Sequence, residues 1–297
     1  MQNEPFGAFR IHPAGRASAM LLLAAFFWGS GNLANKTVLQ DLDPFTVVVL
    51  RNLVAAVALL PMLLLMEPAR RVMPTWFRSA FPVGFFFGVA VICQQWGYQS
   101  ATVTNASFLV NATCVLTPLL AWLLYSERAG PSTLLAAMVM LLGALSMSGV
   151  LWKWQPMTAG DTWCLVSALF YSVWMILLAR HVTRHGRPVL TTLVQCLCAA
   201  AIALPFSLSN APELERNFAG ALPELLYLGI FSTALAFCLA SVAQRCLSAS
   251  VGAILMAAES LFGAAGGILV LGERPDLGVI LGAALMMAAI LIVCRSD

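Results

Sequence analysis

The chain has 297 residues, of which 61% are hydrophobic and only 10% charged, with a formal net charge of +3 at pH 7. Ordinary soluble domains carry roughly 25% charged residues, so a water-soluble globule is excluded unless nearly all of its apolar surface is covered. So small a net charge says little about cargo, and no nucleic-acid partner is expected.

Apolar content is blocked out in units of helix length. Residues 129–152, 162–179, 188–212, 225–244 and 277–294 carry no Asp, Glu, Lys or Arg. Each approaches the ~20 residues that cross a ~30 Å hydrocarbon core. Period-two alternation is missing, which favours helices over a β-barrel. In chain order the predicted spans are 17–39, 44–66, 77–98, 103–125, 132–150, 160–180, 188–208, 222–243, 247–271 and 276–294. The first is too long for the ~7–15-residue core of a signal peptide, so it is expected to stay as a span. Residues 79–126 hold no charge over 48 positions, too many for one helix and enough for two, with the polar string Gln99–Asn105 as the turn. The eight cysteines fall almost all within apolar runs and read as small helix residues, not as disulfides or metal ligands.

With alternating loops and a cytoplasmic N-terminus, one side holds Arg10, Arg16, Arg70, Arg71, Arg78, Arg128, Arg180, Arg184, Arg187, Arg245 and Arg295. The other holds Lys36, Lys153, Arg216 and Arg274. This excess predicts a multi-pass inner-membrane protein of a bacterial cell with both termini in the cytoplasm.

The two halves echo each other. Leu123-Leu124-Tyr125-Ser126-Glu127-Arg128 and Leu269-Val270-Leu271-Gly272-Glu273-Arg274 lie 146 residues apart, each followed by a Leu/Ala/Met/Gly helix. Ala25-Phe26-Phe27-Trp28 echoes Ala168-Leu169-Phe170-Tyr171. Five spans per half, an odd number, make the repeat inverted, the architecture of alternating access around a midplane site. The expected organisation is an N-terminal segment 1–16, a five-helix unit 17–150, an external linker 151–159, a second five-helix unit 160–294 and a C-terminus 295–297.

Ten spans, the Ser/Gly-Glu-Arg signatures and the first-span stretch Phe27-Trp28-Gly29-Ser30-Gly31-Asn32 resemble the EamA-type members of the drug/metabolite transporter superfamily. Within it the chain is most similar to the YddG group of bacterial amino-acid exporters. The resemblance implies a basket-shaped all-helical bundle whose central cavity is lined by spans one, three, four, six, eight and nine, with five and ten peripheral. It also implies amino acids or related amphipathic metabolites as cargo and an EamA unit in each half. In the small multidrug members a span-one carboxylate couples drug exchange to protons; that position here is Trp28, so obligatory proton antiport is in doubt and facilitated diffusion stays open.

Polar side chains inside spans face the bundle interior or a water-filled cavity. Span one places Trp28, Asn32 and Asn35 on one face. Spans three and four add Gln94, Gln95, Tyr98 and Gln99, then Asn105, Ser107 and Asn111, with Pro118 positioned to kink the helix. Neutral amides hold both ends of a zwitterion without titrating. Span six carries Trp163, Ser167, Tyr171 and Trp174, aromatic faces for an apolar side chain or an ammonium, although Trp163 also fits a membrane-interface belt. Span eight supplies Ser232, Thr233, Ser241 and Gln244. Span nine holds Glu259 near mid-bilayer beside Ser260, a candidate for proton coupling or ammonium binding. Each set also reads as interhelical glue or packing. Arg51 is expected to snorkel toward Asp41 and Asp43, and Glu127 and Glu273 to pair with Arg128 and Arg274.

From these, Trp28, Asn32, Gln95, Tyr98, Asn111, Trp163, Tyr171, Trp174, Gln244, Glu259 and Ser260 form the expected substrate site, with no metal, no cofactor and a functional monomer. An organic-cation or drug efflux protein is the competing transporter reading. An intramembrane enzyme is disfavoured because His12, His181 and His185 fall in terminal or loop segments, away from membrane depth.

Overall fold

The computed structural model describes residues 13–67, 74–101, 108–149, 157–209, 218–272 and 274–296. Among them, nine helices are long and apolar enough to cross a membrane, and a tenth apolar helix, Pro131–Met147, is shorter. They are α1 (Pro13–Asp41), α2 (Pro44–Met66), α3 (Pro74–Tyr98), α4 (Phe108–Tyr125), α5 (Pro131–Met147), α6 (Ala159–His185), α7 (Pro188–Ser209), α8 (Phe218–Ala243), α9 (Ala249–Leu271) and α10 (Leu277–Ser296). The residues Arg10, His12, Arg70, Arg71, Asn105, Ser107, Lys153, Arg216 and Glu273 lie outside the described residues.

Local chemistry starts these helices where the sequence allows it. Proline opens α1, α2, α3, α5 and α7, a position whose backbone N–H would be unpaired in any case. Thr158 and Asp161 cap α6 reciprocally, at 3.1 and 2.8 Å. Asp43, Ser248 and Asp276 accept the first-turn N–H groups of α2, α9 and α10.

Three spans are not the uniform helices the pattern suggests. In α4 a turn at Ala112 precedes a helix over Thr113–Tyr125, and in α9 a turn at Ala257 and Ala258 separates Ala249–Met256 from Glu259–Leu271. Both downstream pieces have 13 residues and end on a left-handed residue, Ser126 (φ 56°) and Gly272 (φ 66°). These features share the 146-residue offset of the Glu-Arg signature. In α8, a π-helical stretch, Leu228–Leu235, interrupts the ladder. α6 also runs past the expected end at 180 to His185 and stops only at Gly186 (φ 66°). His181, expected in a loop, is therefore a buried helical residue contacting Ser79.

Packing follows the inverted repeat. α1 packs on α8 and α9 of the second half, as α6 packs on α3 and α4 of the first. α2 meets α8 as α7 meets α3, while α2–α7, α4–α9 and α5–α10 pair helices with their own counterparts. The first helix of each half is thus inserted into the other. Leu64, Leu65 and Leu269 are 78%, 84% and 83% exposed, an outward apolar face suited to lipid and foreign to a soluble monomer.

The α5–α10 seam is backbone-close. A Cβ on Gly143 would lie 2.6 Å from Met286 Cγ and 2.8 Å from the Gly282 carbonyl oxygen. Gly143→Val is expected to destabilise the protein by about 1–3 kcal/mol through overpacking. Thermal unfolding of detergent-purified protein measures it; because this seam is peripheral, the KM of any variant that folds should stay unchanged.

Candidate functional site

The inserted first helix builds one wall of a central cavity. Gly29 brings the α1 backbone against α9, where a Cβ would sit 2.7 Å from Phe262 Cβ and 2.8 Å from the Gly263 nitrogen. Gly31 plays the same part against Ser232 in the π-helical stretch of α8, a kind of irregularity frequent at functional sites. These approaches leave Trp28, Asn32 and Asn35 facing inward. The lining is completed by α3, α4, α6, α8 and α9, with Arg51 contributed by α2. The cavity holds about 80 Å³, space for a few waters, so a larger solute requires the lining helices to part.

Amides and phenols are knitted together across helices. Asn35 and Gln95 exchange two hydrogen bonds, 3.2 and 3.3 Å. Tyr171 donates to Gln94 Oε1 at 2.8 Å, and Gln94 Nε2 donates to Tyr98 at 3.1 Å. Asn111 Nδ2 donates to Ser260 Oγ at 2.6 Å, joining the broken stretch of α4 to that of α9. Trp174 and Phe237 give the cavity its apolar wall, backed by the buried Phe87, whose ring centroid lies 4.7 Å from that of Phe237 and 5.6 Å from that of Trp174. Trp28 packs against Phe237 with ring centroids 4.9 Å apart and the planes tilted by 54°.

One acidic and one basic side chain face this space. Glu259 stands at the first position of its half of α9 and has no hydrogen bond or ion pair to another described residue. Arg51 donates from Nε to Thr233 Oγ1 at 3.0 Å and is paired with no carboxylate among the described residues. Tyr98 and Tyr171 are within electrostatic reach of both, whereas Arg51 and Glu259 are not paired with each other.

Eight of the expected residues line the cavity: Trp28, Asn32, Gln95, Tyr98, Asn111, Tyr171, Trp174 and Glu259. Ser260 stands one residue outside it, holding Asn111. Trp163 does not reach it; its indole stacks on Trp96 with centroids 5.0 Å apart at 3°, near the start of α6. Gln244 is fully buried beyond the lining, donating to Met175 Sδ at 2.8 Å. Arg51 is the main correction. Gly229 lets α8 approach the α2 backbone, placing Thr233 where it draws the guanidinium inward. The cost of a charge one third of the way into a span was the available signal. Glu127 pairs with Arg180 on α6, not with Arg128.

Trp174→Phe tests the wall. It removes the indole N–H that Gln195 Oε1 accepts and leaves that oxygen buried without a donor. The expected loss is about 1–3 kcal/mol of stability, read by thermal unfolding.

The EamA-like transporter family matches residues 15–149 and again 158–295. A transporter of Archaeoglobus fulgidus is 26% identical over 274 residues, 92% of this chain and 84% of that protein. A WAT1-related chloroplastic protein of Arabidopsis thaliana is 24% identical over 92% of this chain and 68% of its own length. A solved crystal structure superposes with a TM-score of 0.76 at 16% identity, covering 93% of this chain and 96% of that one, a likeness of fold. The chain belongs to the EamA-like transporter family and is a multi-pass membrane protein that transports small molecules.

Proposed function

We propose that this transporter exports amino acids and related amphipathic zwitterions across the bacterial inner membrane by alternating access. The observation that carries the reading is the pairing, in one cavity, of a guanidinium and a carboxylate that do not neutralise each other. A permanent cation would gain from Glu259 but meet Arg51. A zwitterion offers its carboxylate to Arg51 and its ammonium to Glu259, with Asn and Gln amides able to serve either end. The aromatic wall of Trp28, Trp174 and Phe237 suits an apolar or aromatic side chain.

The orientation proposed has both termini in the cytoplasm. Among the described residues, Arg16, Arg78, Arg128, Arg180, Arg184, Arg187, Arg245 and Arg295 fall at one end of the bundle and Lys36 and Arg274 at the other, the pattern of the positive-inside rule. Reporter fusions at Arg295 and at the α1–α2 junction are expected to report cytoplasm and exterior respectively; the reverse result inverts the topology.

Flux in proteoliposomes tests the cargo. Radiolabelled phenylalanine and leucine are expected to show saturable flux, and a cationic dye none; dye flux without amino-acid flux overturns the reading. Arg51→Gln and Glu259→Gln are each expected to lower kcat/KM for amino acids on the order of 10- to 100-fold, the weight of a charge-assisted hydrogen bond of about 1.5–3 kcal/mol. If protons are coupled through Glu259, its glutamine variant also flattens the pH profile of transport.

A further inference from the structure

The central cavity leaves a second concavity unexplained. It opens where α3 and α9 begin and α6 ends, has a volume of about 580 Å³, and is lined by Ser79, Arg180, His181, Arg184, His185 and Ser248, among others. That size is ordinary for a small-molecule site. The acidic side chain in its wall, Glu127, is already engaged by Arg180, whose guanidinium also lies 4.0 Å over the Tyr125 ring. Arg184 and the His181–His185 pair, ring centroids 5.3 Å apart, therefore face the cavity with no carboxylate to balance them among the described residues.

Basic side chains at the end of a span ordinarily reach outward to lipid headgroups. Here two successive turns of α6, with Arg180 one turn from Arg184 and His181 one turn from His185, line a concave space instead. Its place along the bundle is as telling as its charge. On α6, Trp174 and Met175 line the central cavity, and the next residues, Ile176 and Leu177, line this one. On α9, Ala249 and Ala253 divide in the same way, one turn apart. The partition between the two spaces is the buried cluster of Phe87, Trp174 and Phe237, backed by the Gln244–Met175 contact.

We propose that this basic cavity is a second solute site, an antechamber that holds the carboxylate of the transported molecule before the aromatic partition opens. The inference rests on the zwitterion reading of the central cavity. In the proposed orientation the antechamber lies on the cytoplasmic face, the loading side of an exporter. Arg184 and His185 supply the anion-binding donors, and Ser79 and Ser248 add hydroxyls at the rim.

Equilibrium dialysis of the full-length protein in nanodiscs of neutral phosphatidylcholine, with radiolabelled phenylalanine, tests this. About two molecules bound per chain are expected. The double variant Arg184→Gln/His185→Gln should fall to about one while retaining its thermal stability, and Arg184→Lys should keep two. Glu259→Gln should leave the antechamber molecule bound, so that the two sites are lost separately. One molecule per chain, retained in the double variant, overturns the antechamber while leaving the central reading standing. The same holds if the cavity takes up added phosphatidylglycerol and not the amino acid, since the basic cluster is then a lipid-phosphate site. Absence of saturable amino-acid flux from the unsubstituted protein removes both readings together.

Discussion

At Gly29 the backbone of α1 rests directly on the backbone of α9 beside Glu259. Most of what is distinctive in the molecule depends on that contact. Only a residue without a Cβ permits it, and helix association in lipid relies on such close approaches because hydrophobic burial gives no net drive there. It inserts the first helix of one half into the other and turns Trp28, Asn32 and Asn35 into the cavity that Glu259 also lines. The two halves interlock as a result, and any rocking between them must slide along this seam.

The interior built on that seam is polar in an economical way. Asn35 with Gln95, Gln94 with Tyr98 and Tyr171, and Asn111 with Ser260 satisfy one another, so the cost of placing amides and phenols at membrane depth is largely offset without a ligand. Arg51 and Glu259 stand apart from this network. A charge at the centre of a span costs roughly 2.5–3.5 kcal/mol on insertion scales. A passing solute that complements both lowers that cost, which couples recognition to the stability of the closed cavity.

Spans, their parity and their apolar outer faces were legible because each depends on runs of about twenty residues, as in 188–212 and 277–294. So were the inward faces of α1, α3 and α6, since helical periodicity alone puts Trp28 with Asn32 and Tyr171 with Trp174. What escaped depended on partners distant in sequence. Arg51 turns inward because Gly229 and Thr233 of α8 are there to receive it. Trp163 was placed by its spacing from Tyr171 and Trp174, yet Trp96 captures its ring outside the cavity. Gln244 sits at the end of α8, where its tight packing against Gly252 and its bond to Met175 seal it away. The helical extension to His185 was lost because the charged and polar stretch after Ala179 imitates a loop.

The breaks at Ala112 and Ala258 stand in register, and the residues that follow them are Thr113 and Glu259. Duplicated scaffolds related by a two-fold axis present the same face in both directions and are blind to the sense of a traveller. Here the joint is kept in both copies while its chemistry has diverged, a neutral hydroxyl in one and an acid in the other. A mechanically reversible frame thereby acquires a head and a tail, and a dipolar molecule within it has a preferred way to point.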